Sequence, residues 1–119
     1  MDIQYKHAMN GVNTLKESHT LAVDVPKRDV LLGLVKFYLD CNYPEVVIDV
    51  GVSILHPKDR YVKKIGRSVA KSTMCPYAFK VKNINANSDL IFITLENKDG
   101  ISLLFRVNLK SSRVWFLGN

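Results

Sequence analysis

The second half of the sequence consists of short runs in which apolar and polar residues alternate, separated by turn-forming residues. The apolar side of the clearest run consists of Ile101, Leu103, Phe105, Val107 and Leu109. Alternation with a period of two predicts a strand with one buried face. Just before this run, Asp99-Gly100 can supply the positive φ angles of a tight hairpin turn. This half of the chain therefore predicts consecutive antiparallel strands.

The same patterns predict two helices in the first half of the chain. Apolar residues recur at three- and four-residue steps over residues 27–40 and again over residues 58–72. Strands are predicted over residues 21–25, 46–54, 77–84, 90–95, 101–109 and 113–117. The order β-α-β-α-β-β-β-β predicts an α+β domain, with both helices packed on one face of a mostly antiparallel sheet.

Length and composition are typical of one globular domain. The chain has 119 residues, of which 47% are hydrophobic and 24% charged. We expect a single domain over residues 1–119, with residues 1–19 forming either a short edge strand or a mobile arm. No apolar run approaches the roughly 20 residues that a membrane-spanning helix needs, and no apolar leader follows Met1. We therefore expect a cytoplasmic protein without membrane contact, in which reduced thiols at Cys41 and Cys75 are favoured over the one disulfide that they could form.

Positive charge is concentrated in residues 56–71. The cations of this segment are Lys58, Arg60, Lys63, Lys64, Arg67 and Lys71. Asp59 is its one acidic residue, so nearly all of the net charge of +6 resides here. A helical spacing would align all of these cations except Lys58 on one flank and direct Val62, Ile65 and Val69 into the core.

A row of cations on a helix has three interpretations. Nucleic acid or another polyanion would respond to it, because each neutralised phosphate releases condensed counterions. An acidic protein partner is the second interpretation, and a merely solvated helix face is the third. The uniform sign of the charges argues against the solvated face, since such a face normally mixes positive and negative side chains.

The predicted sheet adds cations to this surface. Lys80, Lys82 and Arg106 lie on the side of their strands opposite the apolar residues, so they would extend a positive face. Phe79 and Phe105 share the apolar side and are expected in the core. The sheet is therefore not expected to present aromatic residues as RNA-recognition sheets do.

Catalytic and metal-binding patterns are weak in this sequence. Asp89, Glu96 and Lys98 have the order found in metal-dependent nucleases, but Lys98 falls in a predicted turn. A second acid–base cluster could combine Asp49, His56 and Asp59. The histidines are scattered and predict no structural zinc. No cofactor-binding fingerprint is present, and we expect no catalytic residues, metal or cofactor.

One stretch resembles a pattern in small tailed-bacteriophage accessory proteins. The pattern runs His-Pro-x-Asp-x-aromatic, a basic pair, Gly-Arg and then Ala. It matches His56-Pro57, Asp59, Tyr61, Lys63-Lys64, Gly66-Arg67 and Ala70. The resemblance is local, and the chain departs from it at Lys71, where a later Arg is expected. It implies a phage-encoded factor acting in the bacterial cytoplasm, in host takeover or counter-defence, and it transfers no catalytic residue.

These observations together predict a small non-enzymatic binding protein that engages nucleic acid or a polyanionic surface through its basic helix. The first alternative is direct inhibition of a host protein through its acidic or nucleic-acid-binding groove. The second alternative is a small metal-dependent nuclease. A homodimer is also plausible, because the hairpin over residues 109–117 would place Trp115 and Phe116 at an exposed sheet edge.

Overall fold

The computed structural model describes residues 2–10, 17–40, 44–55, 60 and 62–118. Within them the chain forms seven strands and two helices. The elements are β1 (Ile3–Asn10), β2 (Glu17–Asp24), α1 (Arg28–Leu39), β3 (Glu45–Leu55), α2 (Lys63–Ser72), β4 (Cys75–Asn87), β5 (Leu90–Glu96), β6 (Ser102–Asn108) and β7 (Val114–Gly118). The predicted α+β class, a mostly antiparallel sheet with two helices, is confirmed.

The seven strands form one antiparallel sheet in which each strand pairs with the next along the chain. The sheet curls into a nearly closed barrel whose seam lies between β1 and β7. Gln4 bridges this seam: its Nε2 donates to the carbonyl oxygen of Val114 at 2.9 Å, and the amide of Phe116 donates to its Oε1 at 2.8 Å. The first strand, which the sequence left open as strand or arm, is therefore part of the barrel wall.

The core lies on the inner face of this barrel. Its largest fully buried side chains are Phe79, Phe105, Phe116, Leu31, Ile93, Leu95, Leu103, Val23 and Val107. Alternate residues of β6 supply three of them, as the sequence pattern predicts. Leu31 and Leu34 of α1 pack into the same cluster, so α1 covers the inside of the sheet.

The two helices lie on opposite faces of the sheet, and the prediction that they share one face is wrong. Val23 and Val50 are register partners in the core, whereas their neighbours Ala22 and Gly51 are register partners that point outward. An ideal Cβ built on Gly51 would overlap the carbonyl oxygen of Ala70. Since Ala70 belongs to α2, this helix packs on the outer face, away from the core.

The predicted bounds agree best with the structure for α1 and for the turn before β6, where the hydrogen bonds join residues close together in the sequence. Helix α1 begins and ends within one residue of its predicted bounds, and the hairpin turn lies at Asn97–Gly100. The Oδ1 atom of Asn97 accepts from the amides of Asp99 and Ile101, and Gly100 has a φ of +84°. Helix α2, in contrast, begins at Lys63 rather than at residue 58.

The prediction that Trp115 and Phe116 are both exposed at a sheet edge is wrong for Phe116, whereas Trp115 is 41% exposed. Phe116 is 1% exposed and packs in the core, with its ring centroid 5.7 Å from that of Phe105. The neighbouring strand β1 covers the β7 edge through Gln4. The homodimer stays a prediction, but pairing through a free β7 edge no longer supports it.

Candidate nucleic-acid interface

Helix α2 packs against the outer face of the barrel through a contact between small residues. Ala70 is fully buried, and the backbone of Gly51 lies directly beneath it. On the same face Ala22 is fully buried and Thr20 is 3% exposed. Only residues this small let a helix backbone approach a strand so closely. The sequence of β2 and β3 thus provides a flat seat for α2.

Thr73 fastens the end of α2 to β3. Its hydroxyl oxygen accepts from the amide of Val52 at 3.0 Å and lies 3.0 Å from the carbonyl oxygens of Val52 and Ala70. The register pairing of β3 with β4 ends at Val50. The Thr73 hydroxyl therefore bonds to the backbone of Val52 at the point where β4 no longer pairs with β3. The helix is therefore held at its C-terminal end by hydrogen bonds and along its length by close packing.

The outward side of α2 carries positive charge without compensation. Its exposed cations are Lys63, Lys64, Arg67 and Lys71. The helix contains no acidic residue, and no salt bridge within the described residues involves it. The side chain of Arg67 lies over the ring of Tyr5 on β1, 5.0 Å from its centroid. Of the other predicted cations, Arg60 is exposed just before the helix and Lys58 lies outside the described residues.

The apolar residues predicted to bury α2 are exposed instead. Val62 is 43% exposed, Ile65 61% and Val69 42%, so the prediction of a buried stripe is wrong. Arg67 points toward β1, which places these three residues on the opposite flank of the helix. The seat on β2 and β3 is so narrow that Ala70 alone is buried in it.

The lysines of β4 differ from those of α2, because each is paired with a carboxylate. Lys80 lies 3.6 Å from Glu45 and Lys82 lies 3.0 Å from Glu96, nitrogen to oxygen. Both lysines are on the outer face, as predicted. Their charges are balanced locally, so they add little to a positive surface.

Arg106 belongs to an aromatic row on the outer face that the sequence analysis missed. Phe92, Arg106 and Trp115 are register partners on β5, β6 and β7. Their chain neighbours are buried in the core or, for Ile91, packed against it, so the three side chains point outward. Arg113 lies over the ring of Trp115, 5.6 Å from its centroid. The signal was present: Phe92 alternates in step with Thr94 and Glu96 rather than with the apolar residues of β5.

The residues of the nuclease pattern are not brought together. Asp89 pairs with Lys110 and Glu96 pairs with Lys82. Asp89 directly precedes β5 and Glu96 is the last residue of that strand, so the extended chain separates the two carboxylates by roughly 20 Å. In the other proposed acid–base cluster Asp49 is half-buried on β3, while His56 and Asp59 lie outside the described residues.

Metal-ligating side chains do not cluster in the described part of the chain. Across residues 2–10, 17–40, 44–55, 60 and 62–118, no three His, Cys, Asp or Glu side chains come together in a way that could hold a metal ion. Cys75 is a free, exposed thiol, and Cys41 lies outside the described residues. A hydrogen bond that the Tyr77 hydroxyl donates to the sulfur of Cys75, together with the negative charge of that sulfur when it is ionised, raises the pKa of Tyr77.

Neither α1 nor α2, the helices that the described residues form, is both long and apolar enough to cross a lipid bilayer. Comparisons with known protein families, curated proteins and solved structures found no match for this chain.

Proposed function

We propose that this protein is a non-enzymatic binding protein that engages nucleic acid through the outward side of α2. The observation that carries the proposal is the row of exposed cations on this helix, none of which forms a salt bridge within the described residues. Phosphate groups would supply the missing negative charge. The proposed setting, a phage-encoded factor acting on its bacterial host, is supported by the local sequence resemblance.

The placement of these cations opposes helix stability, which favours a binding role over a solvated face. Lys63 and Lys64 occupy the first turn, where the positive end of the helix dipole disfavours cations. Lys63, Arg67 and Lys71 follow one another at four-residue steps, a spacing at which like charges repel. A helix that only needed a polar exterior would gain from carboxylates at these positions. An anionic partner relieves both sources of repulsion.

The test compares two variants with the same change in charge. In the first, Lys63, Lys64 and Lys71 are replaced by Gln. In the control, Lys80, Lys82 and Lys110 are replaced by Gln, because these lysines are salt-bridged elsewhere on the surface. Binding to DNA is measured by fluorescence anisotropy over a series of salt concentrations.

The first variant should bind more weakly, and its slope of log K against log salt should be smaller by about 2 to 3, near one unit for each lost phosphate contact. The control variant should keep the parent slope. Equal losses in both variants would mean that general charge, rather than α2, drives binding. Binding by the parent that does not change with salt would overturn the polyanion proposal itself.

A second candidate function is inhibition of a host protein, and the exposed flank of α2 favours it. Val62, Ile65 and Val69 place apolar surface directly beside the cations, a combination typical of protein interfaces. A nucleic-acid-binding groove of a host protein, with acidic residues at its rim, would match both parts. Such a partner would remain bound after nuclease treatment of a bacterial lysate, whereas partners held through nucleic acid would be released.

A further inference from the structure

We infer that the aromatic row Phe92–Arg106–Trp115 is a base-stacking surface, so that the nucleic acid bound by this protein is single-stranded. The inference rests on the function proposed for α2 and specifies its ligand. Bases of a duplex are stacked on one another and are not available to a protein surface, whereas unpaired bases stack readily on aromatic side chains.

The geometry of the row suits an extended single strand. Neighbouring strands lie about 4.8 Å apart, so the outward rings of Phe92 and Trp115 are separated by roughly 10 Å with Arg106 between them. Two bases could occupy the two rings while the guanidinium of Arg106 contacts the phosphate that joins them. Phe92 and Arg106 are half-buried and Trp115 is 41% exposed. Each side chain therefore presents part of its surface to solvent, while packing against its neighbours holds the rest in place.

Charge and polarity around the row match a nucleic-acid strand. Neither Arg106 nor Arg113 belongs to a salt bridge within the described residues. On β4, Asn85 is the register partner of Phe92 and is exposed. Its amide can donate to and accept from a base edge. The row therefore combines aromatic faces, cations and an amide, with no acidic residue in it.

The aromatic row and α2 belong to one continuous outer surface. Arg67 of α2 contacts Tyr5 on β1, and β1 lies beside β7 through the hydrogen bonds of Gln4. Trp115 projects from the outer face of β7. A strand whose phosphates follow α2 can therefore cross the barrel seam and place its bases on Trp115 and Phe92.

The experiment uses Trp115 as the probe, because it is the only tryptophan in the chain. Its fluorescence is followed while the full chain is titrated with a single-stranded oligothymidylate of about 12 nucleotides, within the usual site size. A duplex of the same length and inorganic polyphosphate are titrated in parallel. The single strand should quench Trp115, while the other two polyanions should bind in a salt-dependent way with little quenching.

Two variants complete the test. Phe92→Leu should weaken single-strand binding about tenfold or more and leave polyphosphate binding unchanged. Phe37→Leu is the matched control, since Phe37 is a 53% exposed phenylalanine on α1, and it should bind like the parent. Thermal melts of both variants verify folding.

The outcomes separate this inference from the proposal on which it rests. Single-strand binding without quenching of Trp115, and with equal affinity in Phe92→Leu, would overturn base stacking and leave the role of α2 intact. Failure of all three polyanions to bind would overturn both.

Discussion

The two helices have the same place in the chain connectivity and opposite roles in the structure. Each connects two neighbouring antiparallel strands. Helix α1 inserts Leu31 and Leu34 into the core, whereas α2 buries Ala70 alone and lies outside the barrel. One helix contributes mainly to stability, and the other presents charge on a rigid support. The comparison shows that a helix can serve a protein by packing against its sheet, as α1 does, or by presenting side chains to the solvent, as α2 does.

The chemistry of the contact explains the difference. Large leucines fill the volume enclosed by a curved sheet, and their burial removes much apolar surface from water. The contact of α2 is instead a close approach between backbones. It requires that position 51 has no side chain and that the side chain of Ala70 is no larger than a methyl group. Replacing residues at each contact can test this comparison.

The largest effect is expected from truncating the α1 contact. Leu31 is fully buried, so Leu31→Ala should lower the free energy of unfolding by about 3 kcal/mol through lost burial and the remaining cavity. Urea denaturation measures this change. Leu39→Ala on the same helix is the control, because Leu39 is 70% exposed, and it should change stability by less than about 0.5 kcal/mol. Equal losses in the two variants would contradict the placement of α1 in the core.

An intermediate effect is expected at the seat of α2. The added methyl group of Gly51→Ala would meet the backbone of Ala70 and lie 2.8 Å from Cγ of Met74, so α2 must shift. We expect a loss of about 1 to 3 kcal/mol in the free energy of unfolding, with amide exchange accelerated first in α2.

The control for this substitution has the opposite expected sign. Gly33 lies in α1 with no atom within 4 Å of an added Cβ, so Gly33→Ala should stabilise the protein by up to about 1 kcal/mol. A neutral Gly51→Ala variant with unchanged exchange in α2 would mean that the helix is not seated on β3 as described.

The smallest effect is expected on the exposed flank of α2. Replacing Ile65 and Val69 by Ser should change the free energy of unfolding by less than about 1 kcal/mol for each residue, because Ile65 is 61% exposed and Val69 42% exposed, so that each loses only part of a buried side chain's contribution. Thermal and urea denaturation provide the measurement. A loss of several kcal/mol in the free energy of unfolding would mean that these side chains are buried, as the sequence predicts. Unchanged stability with loss of a nuclease-resistant partner would support the host-protein function.

Local patterns in the sequence predicted much of the secondary structure. The periodicity of α1, the alternation of β6 and the Asn97–Gly100 turn depend on residues close together in the chain, so their signals survive without tertiary information. The charge of α2 was also visible, since it is a property of composition. The exposure of Val62, Ile65 and Val69 was not, because an amphipathic pattern indicates an apolar flank and does not show whether anything covers it.

The candidate site depended more strongly on register. Lys80 and Lys82 look like the cations of α2 in sequence, yet pairing with Glu45 and Glu96 balances their charge. These carboxylates lie on neighbouring strands, so only the strand alignment could reveal the pairs. The row formed by Phe92, Arg106 and Trp115 has the same origin, since its members come from three strands.

The sequence by itself determined the alternating strands, the tight turns and the concentration of positive charge in one short segment, because each depends on neighbouring residues. Only the tertiary structure decided which face each helix occupies and which charges remain unpaired. The physical reason lies in the closure of the sheet. Curling the strands into a barrel encloses a single core that α1 enters, and the small residues Ala22 and Gly51 leave a seat on the outside where α2 and its cations face the solvent.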